Sequence, residues 1–139
     1  MKTKLVRFGV SIEEGLISKF NRLIRERRYG SRSEAIRDLI RAALVEKEWE
    51  KGGNIAGGIG FVYDHHLRRL TERLTDTQHD FRDLIVSSTH IHLDHDNCLE
   101  LVTVKGDAKR IKKLFDLIKA AKGVKHAGLI RTTTGRDIG

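Results

Sequence analysis

The chain has no proline and a single cysteine, and aromatic residues are sparse at 6%. Without proline, no turn or helix start is set by a locked φ, and glycine does nearly all the punctuation. One cysteine excludes an intrachain disulfide and leaves a free thiol, which fits a reducing compartment. The N-terminus lacks the apolar run of about 7 to 15 residues that a signal peptide carries. No later segment approaches the roughly 18 apolar residues of a membrane span. The expectation from these absences is a cytoplasmic protein with no membrane partner. With 139 residues, 39% apolar and 33% charged, the chain reads as globular, either one ordinary domain or two small ones.

What is present is unevenly spread. The net charge is +8, and through Val45 there are 11 lysines and arginines against 5 acidic residues, a net +6 that leaves +2 for the remaining 94. Such a bias marks either a solvated basic face or a polyanion partner, nucleic acid before membrane.

The pattern beneath the charge favours the polyanion. In "KLVRFGVSI", Val6, Phe8, Val10 and Ile12 alternate with Leu5, Arg7, Gly9 and Ser11; a period of two marks a strand with one buried and one exposed face. Ser11 and Glu14 form a capping-box pattern ahead of a helix with Leu16, Ile17, Phe20, Leu23 and Ile24 at helical spacing. Ser31 and Glu34 repeat the box before Ala35, Ile36, Leu39, Ile40, Ala43 and Leu44. A unit of about 45 residues cannot bury enough surface alone. Its lone strand has two free edges, and the remedy is the same strand of a second copy, giving an antiparallel ribbon over four helices. Such a ribbon fits the major groove of DNA, with Arg7 and Ser11 facing the bases. The free N–H groups near Arg32, Ser33 and Glu34 suit a phosphate. Over roughly residues 3 to 48 the sequence resembles the ribbon-helix-helix transcription factors; a purely structural dimerisation module is the alternative.

"KGGNIAGGIG" reads as a hinge running into a strand, because five glycines fall between Gly52 and Gly60. The spacing of a phosphate-binding loop is absent. The rest reads as strand, helix, strand, strand, helix, strand: "IGFVYDH", "HLRRLTERLTDTQH" on Leu67, Leu70 and Leu74, "DLIVSSTHIHL", "NCLELVTVKG", "DAKRIKKLFDLIKAAKG" and "VKHAGLIRT". In the last helix Asp107 is the cap, Ile111, Leu114, Phe115 and Ile118 face inward, and Gly123 is the stop. The fold class is therefore α+β: a dimeric ribbon-helix-helix unit over 1–50, a hinge over 51–60, and a βαββαβ ferredoxin-like, ACT-like domain over 61–139.

Three of seven histidines and the only cysteine fall in "THIHLDHDNC". His90 and His92 are two apart on a strand, so both imidazoles leave the same face. Cys98 opens the partner strand just beyond the "DHDN" turn. Either these are polar residues on a wet sheet face, or three soft or borderline donors converge on a transition metal. A fourth ligand would come from His95 in the turn or from His79 at the end of a helix. Spacing does not choose between zinc, copper(II) and nickel(II).

The ribbon-helix-helix start with "RSEAIRD", followed in order by "TQH", "HIH" and "HDNCLE", resembles the nickel-responsive transcriptional regulators of the NikR type along nearly the whole chain. The resemblance implies one Ni(II) per subunit in a square-planar site of three imidazoles and a thiolate: His90, His92 and Cys98 from one subunit and His79 from a neighbour. It implies a homotetramer, a dimer of dimers, that binds double-stranded operator DNA and represses nickel-uptake genes. It places Glu100 in a supporting network, Glu34 and Asp38 at a second cation site, and Arg37 against the DNA backbone. The middle outward ribbon position, a small hydroxyl residue in that family, is Gly9 here, so no side chain reads a base from it.

Three other readings share some of these features. A zinc or copper sensor keeps the architecture. A ribbon-helix-helix antitoxin binds DNA without metal through a chain with a disordered tail, which a folded second domain opposes. A hydrolase built on Cys98 and His95 needs mutual reach of nucleophile and base; the thiol is better explained as a ligand, and the protein is expected not to be an enzyme.

Overall fold

The computed structural model describes residues 3–139, which group into two compact units, one ending at Ile40 and one starting at Arg41. In the first unit, helix α1 spans Glu14–Glu26, and helix α2, which opens there and runs on into the second, spans Arg32–Lys51.

Residues 3–13 form no strand within the chain. A strand ladder needs a partner, and this segment has none in its own unit. Its apolar side chains are accordingly bare: Val6 is 80% exposed, Phe8 69% and Val10 61%. α1 also starts later than the Ser11 cap predicts. Glu13 holds the N-cap position with φ −60° and ψ 143° and makes no side-chain cap bond. Ile12 belongs to the apolar alternation of the preceding segment, and the chain stays out of the helix through Glu13. The second cap forms. Ser31 Oγ accepts from the Glu34 N–H at 3.1 Å, while the Glu34 carboxylate reaches one residue further back than a standard box and accepts from the Gly30 N–H at 2.9 Å. α1 buries no residue, and Ala35 is the only buried apolar residue among those described in this unit.

In the second unit four strands, β1 (Asn54–Asp64), β2 (Ile85–His92), β3 (Asn97–Asp107) and β4 (Val124–Arg131), alternate with helices α3 (Arg68–Asp80) and α4 (Ala108–Ala120). The sheet is antiparallel throughout, in the order β2-β3-β1-β4. This is the ferredoxin-like arrangement. Asp107 caps α4 by accepting from the Arg110 N–H at 3.0 Å, and the chain leaves the helix through Gly123 at φ +104°. α3 contributes Leu70 and Leu74, and α4 contributes Ile111, Leu114, Phe115 and Ile118, to a core shared with Ile55, Ile59, Phe61, Val102 and Val104 of the sheet. Leu67 stands at the N-cap of α3 and is 46% exposed, outside that core.

The glycine-rich segment is not a hinge. β1 begins at Asn54, so most of 51–60 is strand, paired with β3 from Asn54↔Asp107 onward. The reason lies in close packing. A Cβ at Gly57 would sit 2.6 Å from the Ile130 carbonyl oxygen, with the Trp49 ring at 3.4 Å. Glycine here makes room for neighbouring backbone rather than for flexibility. Trp49 is itself buried and donates its Nε1–H to the Thr132 carbonyl at 2.9 Å. The opposite face of the sheet carries Leu101 and Ile130, 42% and 65% exposed, and α3 and α4 pack on the other side.

Candidate metal centre

The β2–β3 hairpin positions the histidines and the thiol. In its ladder His92 lies opposite Cys98 and His90 opposite Glu100. Directly opposed residues share a face, which here is the one covered by α3 and α4, since Cys98 and Glu100 are both 2% exposed. A single irregularity creates this alignment. Ile85 pairs with Val104 but Ser87 pairs with Thr103, so one residue, Val86, is extra. A one-residue slip exchanges the two faces of a strand. Without it, Thr89 and Ile91 would join Cys98, and both imidazoles would emerge on the uncovered face.

Below the histidines lies a polar network. Glu100 accepts from Gln78 Nε2 at 3.0 Å and lies 3.3 Å from His90 Nε2. The Tyr63 hydroxyl is 3.4 Å from Glu100 Oε2 and 3.4 Å from His90 Nδ1. Burial, reinforced by the neighbouring Glu100 and Cys98, pushes that hydroxyl well above its ordinary pKa, so it remains a proton donor. Gln78 ties this network to α3 next to His79. His79 itself is exposed at the C-terminal end of the helix.

Within one chain the donors of His90, His92 and Cys98 do not all approach within 4.8 Å of one another. Each ring is held elsewhere. His90 is turned to Glu100, and His92 meets the edge of the His65 ring at 5.2 Å between centroids. The donor types nevertheless fit a borderline transition ion: one thiolate, two imidazoles on the same face, and a third imidazole exposed for donation from elsewhere. The buried carboxylate beside His90 can accept the N–H of a metal-bound imidazole and fix which ring nitrogen faces the ion.

Two donor groups that the sequence reading passed over lie at the same end of the sheet: Asp64, His65 and His66, and His66, His95 and Asp96. In each, the ligand atoms all lie within 4.8 Å of one another. The doublet in "YDHHL" was the available signal. His95 contacts this group and not Cys98, so neither a fourth ligand to the hairpin site nor a Cys98–His95 pair is formed here.

In the first unit Arg7 and Ser11 are exposed, and nothing lies within 4 Å of a Cβ built at Gly9. Arg32, Ser33 and Arg37 are exposed on the first turns of α2, where Arg32 Nε donates to Asn21 Oδ1 at 3.0 Å. Glu34 is engaged with Gly30, and Asp38 accepts a hydrogen bond from the Tyr29 hydroxyl. That bond is the main reason the tyrosine's pKa is raised. Among the described residues, neither acid belongs to a group of three metal donors.

Fold and donor set define a class: a ribbon-helix-helix protein joined to a metal-binding, ferredoxin-like domain. Residues 6–47 match the family model described as ribbon-helix-helix protein, copG family, and residues 56–132 match NikR C terminal nickel binding domain. Curated relatives provisionally named nickel-responsive regulators include one from Syntrophus aciditrophicus, 52% identical over 95% of this chain and 96% of its own length. One from Geobacter sulfurreducens is 52% identical over 96% of each, and one from Chlorobaculum tepidum 54% identical over 90% and 93%. An uncharacterized protein of Thermotoga maritima, 13% identical with a TM-score of 0.51, shares the fold over 55% of this chain and 95% of its own. The chain belongs to the NikR family of nickel-responsive regulators, which are not enzymes. No helix among the described residues is long and apolar enough to cross a membrane.

Proposed function

We propose that the chain is a cytoplasmic, nickel-dependent repressor that binds operator DNA when Ni(II) is held, and that its targets are nickel-uptake genes. The observation that carries this is the placement of His90, His92 and Cys98 on one face of a hairpin, above a buried carboxylate. One ion per subunit is held by these three and by His79 of a neighbouring subunit. When bound, the ion supplies a link between the hairpin and the end of α3. The chain's own residues do the rest. Glu100 orients His90, Gln78 couples that carboxylate to α3, and the protonated Tyr63 hydroxyl fills the space between them. Arg7 and Ser11 read bases from a ribbon formed with a second copy, Gly9 allows close approach without reading, and Arg32, Ser33 and Arg37 engage phosphates. Glu34 and Asp38 form a second cation site.

The assembly is a homotetramer, a dimer of dimers. Two bare apolar regions support it: the alternating Val6, Phe8 and Val10 of the first unit, and the uncovered sheet face with Leu101 and Ile130 of the second. The DNA-binding part runs to about residue 50, and the nickel-binding part takes in β1 from Asn54 onward.

The test is a DNA-binding assay on random-sequence duplexes enriched with the nickel-loaded chain. Affinity for the enriched pool should rise at least about tenfold with nickel, within the usual range of coupling between sites. Cys98→Ala should lose most of that gain. Equal binding by both chains, with and without nickel, would end the regulatory reading.

A further inference from the structure

We infer that the outward face of α4 is a docking surface for the phosphate backbone of double-stranded DNA, carried by the nickel-binding unit and additional to the ribbon and α2. Its free cations are Lys109, Lys113, Lys119 and, just past the helix, Lys122, all exposed. Arg110 and Lys112 share the face but are engaged with Asp83 and Asp116. Among the described residues the other four enter no ion pair. The inference rests on the reading that this chain binds DNA, and adds a second contact to it.

Positive charge is segregated onto this one element. After Val45 the chain carries a net +2 over 94 residues, and α4 alone holds five cations against Asp116, a net +4 that leaves −2 for the other 81. α3 provides the internal comparison. It has the same length and packs on the same side of the sheet, yet its Arg68, Arg69 and Arg73 are balanced by Glu72, Asp76 and Asp80. Interspersed signs of that kind are what an ordinary solvated face shows.

Helix stability does not account for the difference. Lys109 and Arg110 stand in the first turn of α4, where the positive end of the helix dipole disfavours cations and no acidic residue offsets them beyond the Asp107 cap. Lys109 and Lys113, four apart, repel each other. Packing does not require them either, because Ile111, Leu114, Phe115 and Ile118 fill the inward side. What such a row fits is a polyanion of regular spacing. From Lys109 to Lys119 the helix rises about 15 Å, a length over which one strand of a duplex presents about four phosphates. Lysine meets phosphate as a point charge, so the contact holds DNA without reading sequence. The unit that carries the ion therefore also touches the nucleic acid.

The test is fluorescence anisotropy of the full chain on a labelled duplex of mixed sequence over a salt series, with and without Ni(II). In the triple variant Lys113→Gln, Lys119→Gln, Lys122→Gln, the slope of log K against log salt should become shallower by about two to three, near 0.9 for each cation removed. The triple Lys113→Arg, Lys119→Arg, Lys122→Arg should keep the parent slope. Both triples should match the parent in far-ultraviolet circular dichroism and in the near-ultraviolet spectrum after nickel addition. A slope unchanged in the glutamine triple, or a loss that the arginine triple shares, overturns the proposal. Vesicles of phosphatidylserine and phosphatidylcholine form a second arm: binding to them that the glutamine triple loses, with its DNA slope unchanged, assigns the face to a lipid surface and overturns it too. If nickel fails to strengthen DNA binding but the slope still falls in the glutamine triple, the nickel-dependent reading fails while this surface stands.

Discussion

Asp94 shows how much one side chain organises the metal end of the sheet. Its carboxylate accepts from Asn97 Nδ2 and from the backbone N–H groups of Asn97 and Asp96. These bonds, led by the Asn97 side chain, lower its pKa from 3.8 to about 2. A folded-state pKa below the unfolded value means that the ionised form supports the turn. That support is complete above about pH 4 and is lost as pH falls through the folded value near 2. A carbon-detected NMR titration of the Asp94 carboxyl should give a midpoint near 2, and Asn97→Ala should move it toward 3.8. A wild-type midpoint at the ordinary value would show the turn to be open in solution. At this scale the sequence is a good guide to donor types. Asp, Asn, His and Cys in ten residues point to a turn and to ligands, but the partners of Asp94 depend on the turn closing in one of several ways.

β2 is the element on which the proposed nickel site depends. The spacing of His90 and His92 guarantees a common face but leaves open which face. The register slip at Val86 decides it, and nothing in "DLIVSSTHIHL" marks that slip, because Ile85, Val86 and Ile91 would satisfy either alternation. Deleting Val86 removes the extra residue and leaves the other pairs in step, from Ile85 with Val104 and Ser87 with Thr103 to His90 with Glu100 and His92 with Cys98, so both imidazoles should stay on the face of Cys98. Nickel binding at the Cys98 centre should then change by less than about tenfold, while far-ultraviolet circular dichroism keeps its sheet signature. A much larger loss would show that Val86 does more than set the register. The glycines of β1 follow the same logic. Glycine clusters usually mark loops, yet Gly57 is required by the Ile130 carbonyl across the ladder, a neighbour 73 positions on that no local pattern can reveal. Helices were more legible, since Asp107, Ile111, Leu114 and Ile118 declare a cap and a stripe within one element. Ser11 did not act as the expected cap because the first unit's extended segment continues to Glu13.

At the scale of the whole molecule, the contrast is between a unit with a core and a unit whose described residues bury only Ala35 among their apolar side chains. The second unit buries Phe61, Ile111 and Leu114, whereas the first leaves Leu5, Val6 and Phe8 more than two-thirds exposed. On the proposed pairing of this segment with a second copy, the first unit's stability should depend on protein concentration. Thermal unfolding followed by circular dichroism should show a melting temperature that rises as the chain is concentrated a hundredfold, and Phe8→Ala should weaken that dependence. A midpoint independent of concentration would show that the unit folds as a monomer. On the proposed function, linkage requires DNA to strengthen nickel binding by the same factor as nickel strengthens DNA binding.

The sequence by itself determined the two-part organisation, the donor types available to a metal and most of the helices, because periodicity, caps and residue chemistry are local properties. It also led to the expectation of a partner strand, since an alternating segment with free edges is incomplete in one chain. Only the tertiary structure decided on which face the histidines stand and that His66 meets His95 across 29 residues of chain. Those outcomes depend on one extra residue in a ladder and on which loops the sheet brings side by side. Both arise from long-range pairing, which a local pattern does not encode.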